Sequence, residues 1–158
     1  MLTAKIAAFV VDTKLKDLPA DVMRGARDAL IDTLGVGLAG TLEPVSEIAL
    51  HWAQELGAKP QSTLWGTRIA SSAAEAAFAN GIAAHALDFD DSHPHVRGHA
   101  SAPMTAVALA VGQVTGASGS EVLAAYALGL EVAGKLGRAM GPGHYLRGWH
   151  STSTIGTF

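Results

Sequence analysis

Ser72-Ala-Ala-Glu-Ala-Ala-Phe-Ala-Asn-Gly-Ile-Ala-Ala-His-Ala-Leu-Asp-Phe-Asp-Asp-Ser92 decides the fold class of this chain. Its first four residues form a capping box, in which Ser and Glu side chains satisfy backbone N–H groups that have no partner in a helix's first turn. The box predicts a helix from Ser72 to about Leu87. Ala73, Ala74, Ala76, Ala77, Ala79, Gly81, Ala83 and Ala84 give that helix a surface of small residues. Alanine has the best helix propensity and lets helix axes approach closely. With so few charges, the helix is expected to be covered on most of its circumference.

Working outward, helical signals continue on both sides. Pro103 suits the first position of a helix running to about Val114, and Ser118-Gly-Ser-Glu121 is a second capping box opening a helix to about Met140. Gly141-Pro-Gly143 ends it. Upstream, Pro19 and Asp21 suit a helix start, and Val22, Ala26, Ala29, Leu30, Thr33 and Leu34 recur at helical spacing. Gly35, Gly37 and Gly40 then either weaken the helix end or let a neighbouring helix come close. Pro44 to Leu56 reads as a further helix closed by Gly57. Ser62-Thr-Leu-Trp-Gly-Thr67 is the single extended piece. The expected fold is a compact, bundle-like all-α domain over residues 1–158.

Composition narrows the function classes. The net charge of −3 and pI near 6.1 carry no electrostatic footprint for nucleic acid. Cysteine is absent, which removes disulfides, thiolate nucleophiles and cysteine-based metal sites. The apolar run Ile6–Val11 is too short for a signal peptide, and Leu123–Ala133 is interrupted by Glu131. The expectation is a soluble, cytoplasmic protein with no membrane and no nucleic-acid partner.

Chemistry concentrates where the Ala-rich helix ends. The fifteen residues His85–His99 hold three carboxylates, four of the seven histidines and Arg97, in a chain that is only 16% charged. Such crowding at the edge of an apolar scaffold marks a functional-site candidate. If the helix continued, Asp88 and Asp91 would share one face and Asp90 would point elsewhere. Acidic groups at a helix C-terminus conflict with the macrodipole, so either another group requires them or the loop is simply solvated. His93, His95 and His99 with the nearby aspartates could hold a divalent metal, as His93, His95 and Asp90 would in a metal-dependent hydrolase, although their spacing matches no strong signature and Pro94 restricts it. A histidine beside a carboxylate is equally a general base near neutral pH. Arg97 could clamp a substrate carboxylate or pair with the nearby aspartates.

A second constellation is His144-Tyr-Leu-Arg-Gly-Trp-His150, followed by Ser151, Thr152, Ser153 and Thr154. It reads either as an anion site at a helix start or as ordinary N-capping by Ser151 or Ser153. Gly35-Val-Gly-Leu-Ala-Gly40 has dinucleotide-fingerprint spacing but follows a helical pattern instead of a strand.

Several ordered elements resemble the MmgE/PrpD family. They are Asn80-Gly-Ile-Ala-Ala-His-Ala-Leu-Asp-Phe-Asp-Asp-Ser92 with Gly98-His-Ala-Ser-Ala-Pro103, and Ala29-Leu-Ile-Asp-Thr-Leu-Gly-Val-Gly-Leu-Ala-Gly40 before them. Gly116-Ala-Ser-Gly119, Ala125-Tyr-Ala-Leu-Gly-Leu-Glu-Val132 and Gly148-Trp-His-Ser-Thr-Ser-Thr-Ile-Gly-Thr-Phe158 follow in the same order. That family includes 2-methylcitrate dehydratase, cis-aconitate decarboxylase and iminodisuccinate epimerase. The resemblance implies a large all-helical domain interrupted by a smaller α+β domain, usually in a homodimer. It implies chemistry on small di- or tricarboxylates with no metal or other cofactor. By motif position it makes Asp88, His99 and His150 catalytic, and it places Ser92 at the hydroxyl that binds substrate, where threonine is usual. Arg97 joins Ser92 as a substrate-binding candidate. Ala100 and Ser151 stand where the family commonly has proline.

Residues 149–158 bring N-cap residues and the start of an apolar pattern, so residues 1–158 are expected to be part of that helical domain, with further helices and the α+β domain outside them. The expected function is a 2-methylcitrate dehydratase-like hydro-lyase, with the fragment alone inactive. Epimerisation of the iminodisuccinate type and decarboxylation of the cis-aconitate type are alternatives, as is a non-catalytic helical interaction domain.

Overall fold

A computed structural model describes all residues, Met1–Phe158, and the architecture is all-α. Helix α1 spans Leu2–Asp12 and buries no residue; a short 3-10 turn, Leu15–Asp17, leads into α2, Ala20–Gly40. Then come α3, Pro44–Glu55, and α4, Ala73–His85, followed by α5, Ser101–Thr115, and α6, Gly119–Met140. Two short helices close the chain: α7, Pro142–Leu146, and α8, Ser151–Gly156. Between α3 and α4, β1 (Ser62–Thr63) pairs antiparallel with β2 (Ala70–Ser71), with Ser62 opposite Ser71 and Thr63 opposite Ala70.

The Ala-rich helix α4 lies at the centre, in contact with α2, α3 and α5. Only Ala74 and Phe78 along it are exposed, so its small surface is covered as its composition demands. Both capping boxes form: Ser72 accepts from the Glu75 N–H, and Ser118 from the Glu121 N–H, while each glutamate accepts in return. Asn80, the polar exception on the buried face, fixes the extended piece. Its amide donates to the Thr63 carbonyl at 2.9 Å and accepts from the Trp65 N–H at 2.8 Å.

The glycines of α2 resolve the choice left by sequence. Helix α2 continues through Gly35, Gly37 and Gly40 to its end at Gly40, because the last two are contact points. A side chain at Gly37 would meet the Trp65 ring at 2.6 Å, and one at Gly40 would collide with the carbonyl oxygen of Ala83 on α4. The two backbones therefore meet without side chains between them.

Several elements differ from expectation, β2 and α7 being additional. Helix α1 is additional, since Ile6–Val11 read only as a short apolar run. Helix α5 starts at Ser101, two residues before Pro103, which still falls within the first turn, where a missing N–H is harmless. Helix α4 stops at His85 and not near Leu87. The turn after it carries Asp88 at φ 54°, a left-handed conformation that aspartate tolerates better than most residues.

Candidate active site

The end of α4 delivers His85, and the turn beyond it delivers Asp88, Asp90, Asp91 and Ser92. Residues 93–98 then form a tight turn, closed by an antiparallel bridge between His93 and Gly98. Helix α6 presses on this turn from behind. A side chain at Gly137 would strike the His95 carbonyl and approach the Val96 Cα at 2.8 Å. Arg97, at φ 55°, is held left-handed at the turn's exit. His99 follows, immediately before α5.

Asp90 is the centre of the cluster. Its side chain is wholly buried, with Oδ1 3.0 Å from His85 Nδ1 and 3.3 Å from His99 Nδ1. His99 Nδ1 also lies 3.0 Å from the Asp90 carbonyl, and His99 Nε2 is 3.3 Å from Asp88 Oδ1. Carbonyl and carboxylate oxygens only accept, so Nδ1 of each ring carries a proton. Two imidazoles, and no arginine or lysine, stand beside this buried carboxylate. The His85 and His99 rings are 4.7 Å apart, and His150 lies 6.1 Å from His85. Asp90 Oδ2 is buried without a partner.

Beside this cluster opens a pocket of about 380 Å³, lined by Ser92, His93, Pro94, Arg97, Gly98, His99, Tyr145 and His150. Four of the five residues expected to act on or bind substrate therefore surround one cavity, and the fifth, Asp88, sits on His99. Arg97 pairs with no aspartate, so its guanidinium is available at the pocket wall. The far side of the pocket is tied in by α8. Thr152 Oγ1 accepts the His99 backbone N–H at 2.8 Å.

Several sequence expectations need correction. Asp88 and Asp91 do not share a helical face, because the helix ends first. Asp90, assigned elsewhere, turns inward, and its burial excludes a simply solvated acidic loop. The metal set His93, His95 and Asp90 does not assemble. His93 Nδ1 instead accepts from the backbone N–H groups of His95 and Val96, both at 3.3 Å, and its ring packs on Gly134. The four groups close enough to share a cation are His85, Asp88, Asp90 and His99, with donor atoms within 4.8 Å of one another. Neither Ser151 nor Ser153 caps α8. The N-cap is His150, and Ser151 is buried as the first helical residue. His85 and Tyr145 were not singled out from sequence, and Asp90 was considered only as a metal ligand. For His85 and Asp90, the signal present was their co-occurrence at the end of one buried helix.

Residues 4–158 match the MmgE/PrpD N-terminal domain. The chain belongs to the MmgE/PrpD family. Among its relatives, human cis-aconitate decarboxylase is 34% identical over 139 residues, covering 85% of this chain and 29% of the relative. The mouse cis-aconitate decarboxylase is 33% identical over 141 residues, covering 85% and 28%. The cis-aconitate decarboxylase-like protein oryM of Aspergillus oryzae is 29% identical over 164 residues, covering 99% and 34%. This MmgE/PrpD chain thus spans about a third of the length of the curated relatives it matches. No helix of this MmgE/PrpD chain is long and apolar enough to cross a membrane.

Proposed function

We propose that this chain carries the histidine–aspartate part of the active site of a cofactor-independent lyase acting on small di- and tricarboxylates. Decarboxylation of the cis-aconitate type is the reading best supported. The observation that carries it is His99: both its ring nitrogens face oxygen acceptors, and it opens on a pocket that also holds Arg97 and His150.

Breaking a bond next to a carboxylate leaves an electron pair on carbon. In decarboxylation CO2 departs and that carbon takes up a proton, so the enzyme needs a positioned acid and a cation for the remaining carboxylates. His99 or His150 supplies the proton, Asp88 and Asp90 orient His99, and Arg97 and Ser92 hold substrate carboxylates. The names of the relatives support decarboxylation over the 2-methylcitrate-type dehydration that the motifs suggested. Dehydration and iminodisuccinate-type epimerisation need the same proton transfer. A cytoplasmic homodimer, with further helices and an α+β domain completing the site, belongs to the same proposal.

The test incubates the full-length protein with cis-aconitate, 2-methylcitrate and iminodisuccinate separately. The expected result is CO2 release from cis-aconitate, unchanged by chelator and abolished by His99→Ala. Water loss from 2-methylcitrate would reassign the reaction within the family. No turnover of any of the three would overturn the enzymatic reading in favour of a helical interaction domain. Loss of activity on chelation would place a cation among His85, Asp88, Asp90 and His99.

A further inference from the structure

We propose that Tyr126 and Ser101 are positioning residues for this site and act on it through Asp91; this rests on the reading of the cluster as an active site. None of the three lines the pocket. Ser101, the first residue of α5, is fully buried two positions after His99. Its hydroxyl oxygen lies 2.6 Å from Asp91 Oδ2 and 2.6 Å from the Tyr126 hydroxyl. A carboxylate only accepts, so Ser101 donates to Asp91 and Tyr126 donates to Ser101. Tyr126 keeps its proton for this purpose. Burial pushes its hydroxyl up to about 12, outweighing the Ser101 hydrogen bond, which acts the other way; the nearby Asp91 and Asp32 charges add to the rise. The hydrogen bonds therefore run one way, from α6 through α5 to the loop.

Asp91 stands between Asp90 and Ser92, and Ser101 follows His99 closely. The relay thus ties together the two backbone segments that carry the cluster, at a point behind it. Its terminus is costly. Asp91 Oδ1 is buried with no partner, so the carboxylate's one side-chain donor is Ser101. A carboxylate with one oxygen buried and unpaired is a poor stabiliser. Its directional bonds do something an apolar contact cannot, which is to fix the rotation and register of a loop. A reacting group displaced by about 1 Å can lose a hundredfold in rate.

Three variants of the full-length protein test this: Tyr126→Phe, Ser101→Ala and the double variant. Tyr126→Phe is expected to lower kcat about tenfold on the active carboxylate, with KM within about twofold and little change in melting temperature. The double variant is expected to be no slower than Ser101→Ala alone, because Tyr126 acts only through Ser101. An independent readout is the imidazole 15N spectrum. The His85 and His99 ring shifts should move in Tyr126→Phe while His51, on α3, stays. A merely structural role would lower the melting temperature and leave kcat of the folded protein and both ring shifts unchanged, which would overturn the proposal. Should Tyr126→Phe not fold, Asp91→Asn keeps an acceptor oxygen for Ser101 and is read by the same shifts. If the wild-type protein turns over no carboxylate, unmoved ring shifts still sink the relay; moved shifts sustain it, and only the lyase reading fails.

Discussion

At the scale of single residues, the cluster is organised around one carboxylate at the end of α4. Asp90 is wholly buried and shared by two imidazoles. Asp90→Asn keeps the volume and one acceptor oxygen but removes the charge that holds His85 and His99. The expected result is a loss of about a hundredfold in kcat, the range of a general acid or base step, with substrate affinity much less affected. Steady-state kinetics on the substrate identified in the assays above would check it; an undiminished kcat would remove Asp90 from the machinery. The kinds of residue needed were legible in His85–His99, and the family's motif pointed to Asp88, Ser92, His99 and His150. The inward turn of Asp90 was not. It follows from α4 ending at His85 and from Asp88 adopting φ 54°, and neither is encoded in helical periodicity. Tyr126 and Ser101 were hidden for a different reason. Their partners lie 25 and 10 positions away, beyond the reach of any local pattern.

At the scale of elements, capping chemistry was the most readable signal. Ser72 and Ser118 each open the helix they were expected to open. Glycine was ambiguous from sequence, because the same residue weakens a solvated helix and permits a packed one. Helix α2 contains both kinds, which gives a matched test. Nothing lies within 4 Å of a side chain added at Gly25, so Gly25→Ala should stabilise the protein by about 0.5–1 kcal/mol through helix propensity. Gly40→Ala would drive a methyl into the Ala83 carbonyl, and backbone cannot yield as a flexible side chain does. It should destabilise by about 1–3 kcal/mol, the range for overpacked cores. Denaturant titration of the two variants would show opposite shifts in midpoint. A stabilising Gly40→Ala would mean that α2 and α4 are not in backbone contact.

At the scale of the whole molecule, the pH range of stability follows from three perturbed groups. Glu75 and Glu121 are held below their ordinary 4.5, foremost by side-chain hydrogen bonds from Ser72 and Ser118 respectively. A lowered folded value favours the folded state above pH 4.5, and that contribution is lost as pH falls below it. Tyr126 is shifted the other way, from 10 to about 12, mainly by burial. Its contribution is complete below pH 10 and disappears as pH rises toward 12. Melting temperature against pH should therefore fall at both ends. Ser72→Ala and Ser118→Ala should flatten the acid limb, and Tyr126→Phe the alkaline limb. A wild-type alkaline limb indistinguishable from that of Tyr126→Phe would show that burial does not govern this hydroxyl. The all-helical class and the family were both legible across the chain, because small-residue helices and ordered motifs repeat over its length. The way distant helices converge behind the site was not, since it is set by packing.

The bond between the His99 backbone and Thr152 joins two parts of the site that lie 53 positions apart, whereas His85, Asp88, Asp90 and His99 fall within one stretch of fifteen residues. During synthesis, which proceeds from the N-terminus, the aspartate–histidine centre and the helices around it can therefore assemble while His150 and α8 are still inside the ribosome. The nascent protein can enclose Asp90 between its two imidazoles before the His150 side of the pocket is in place.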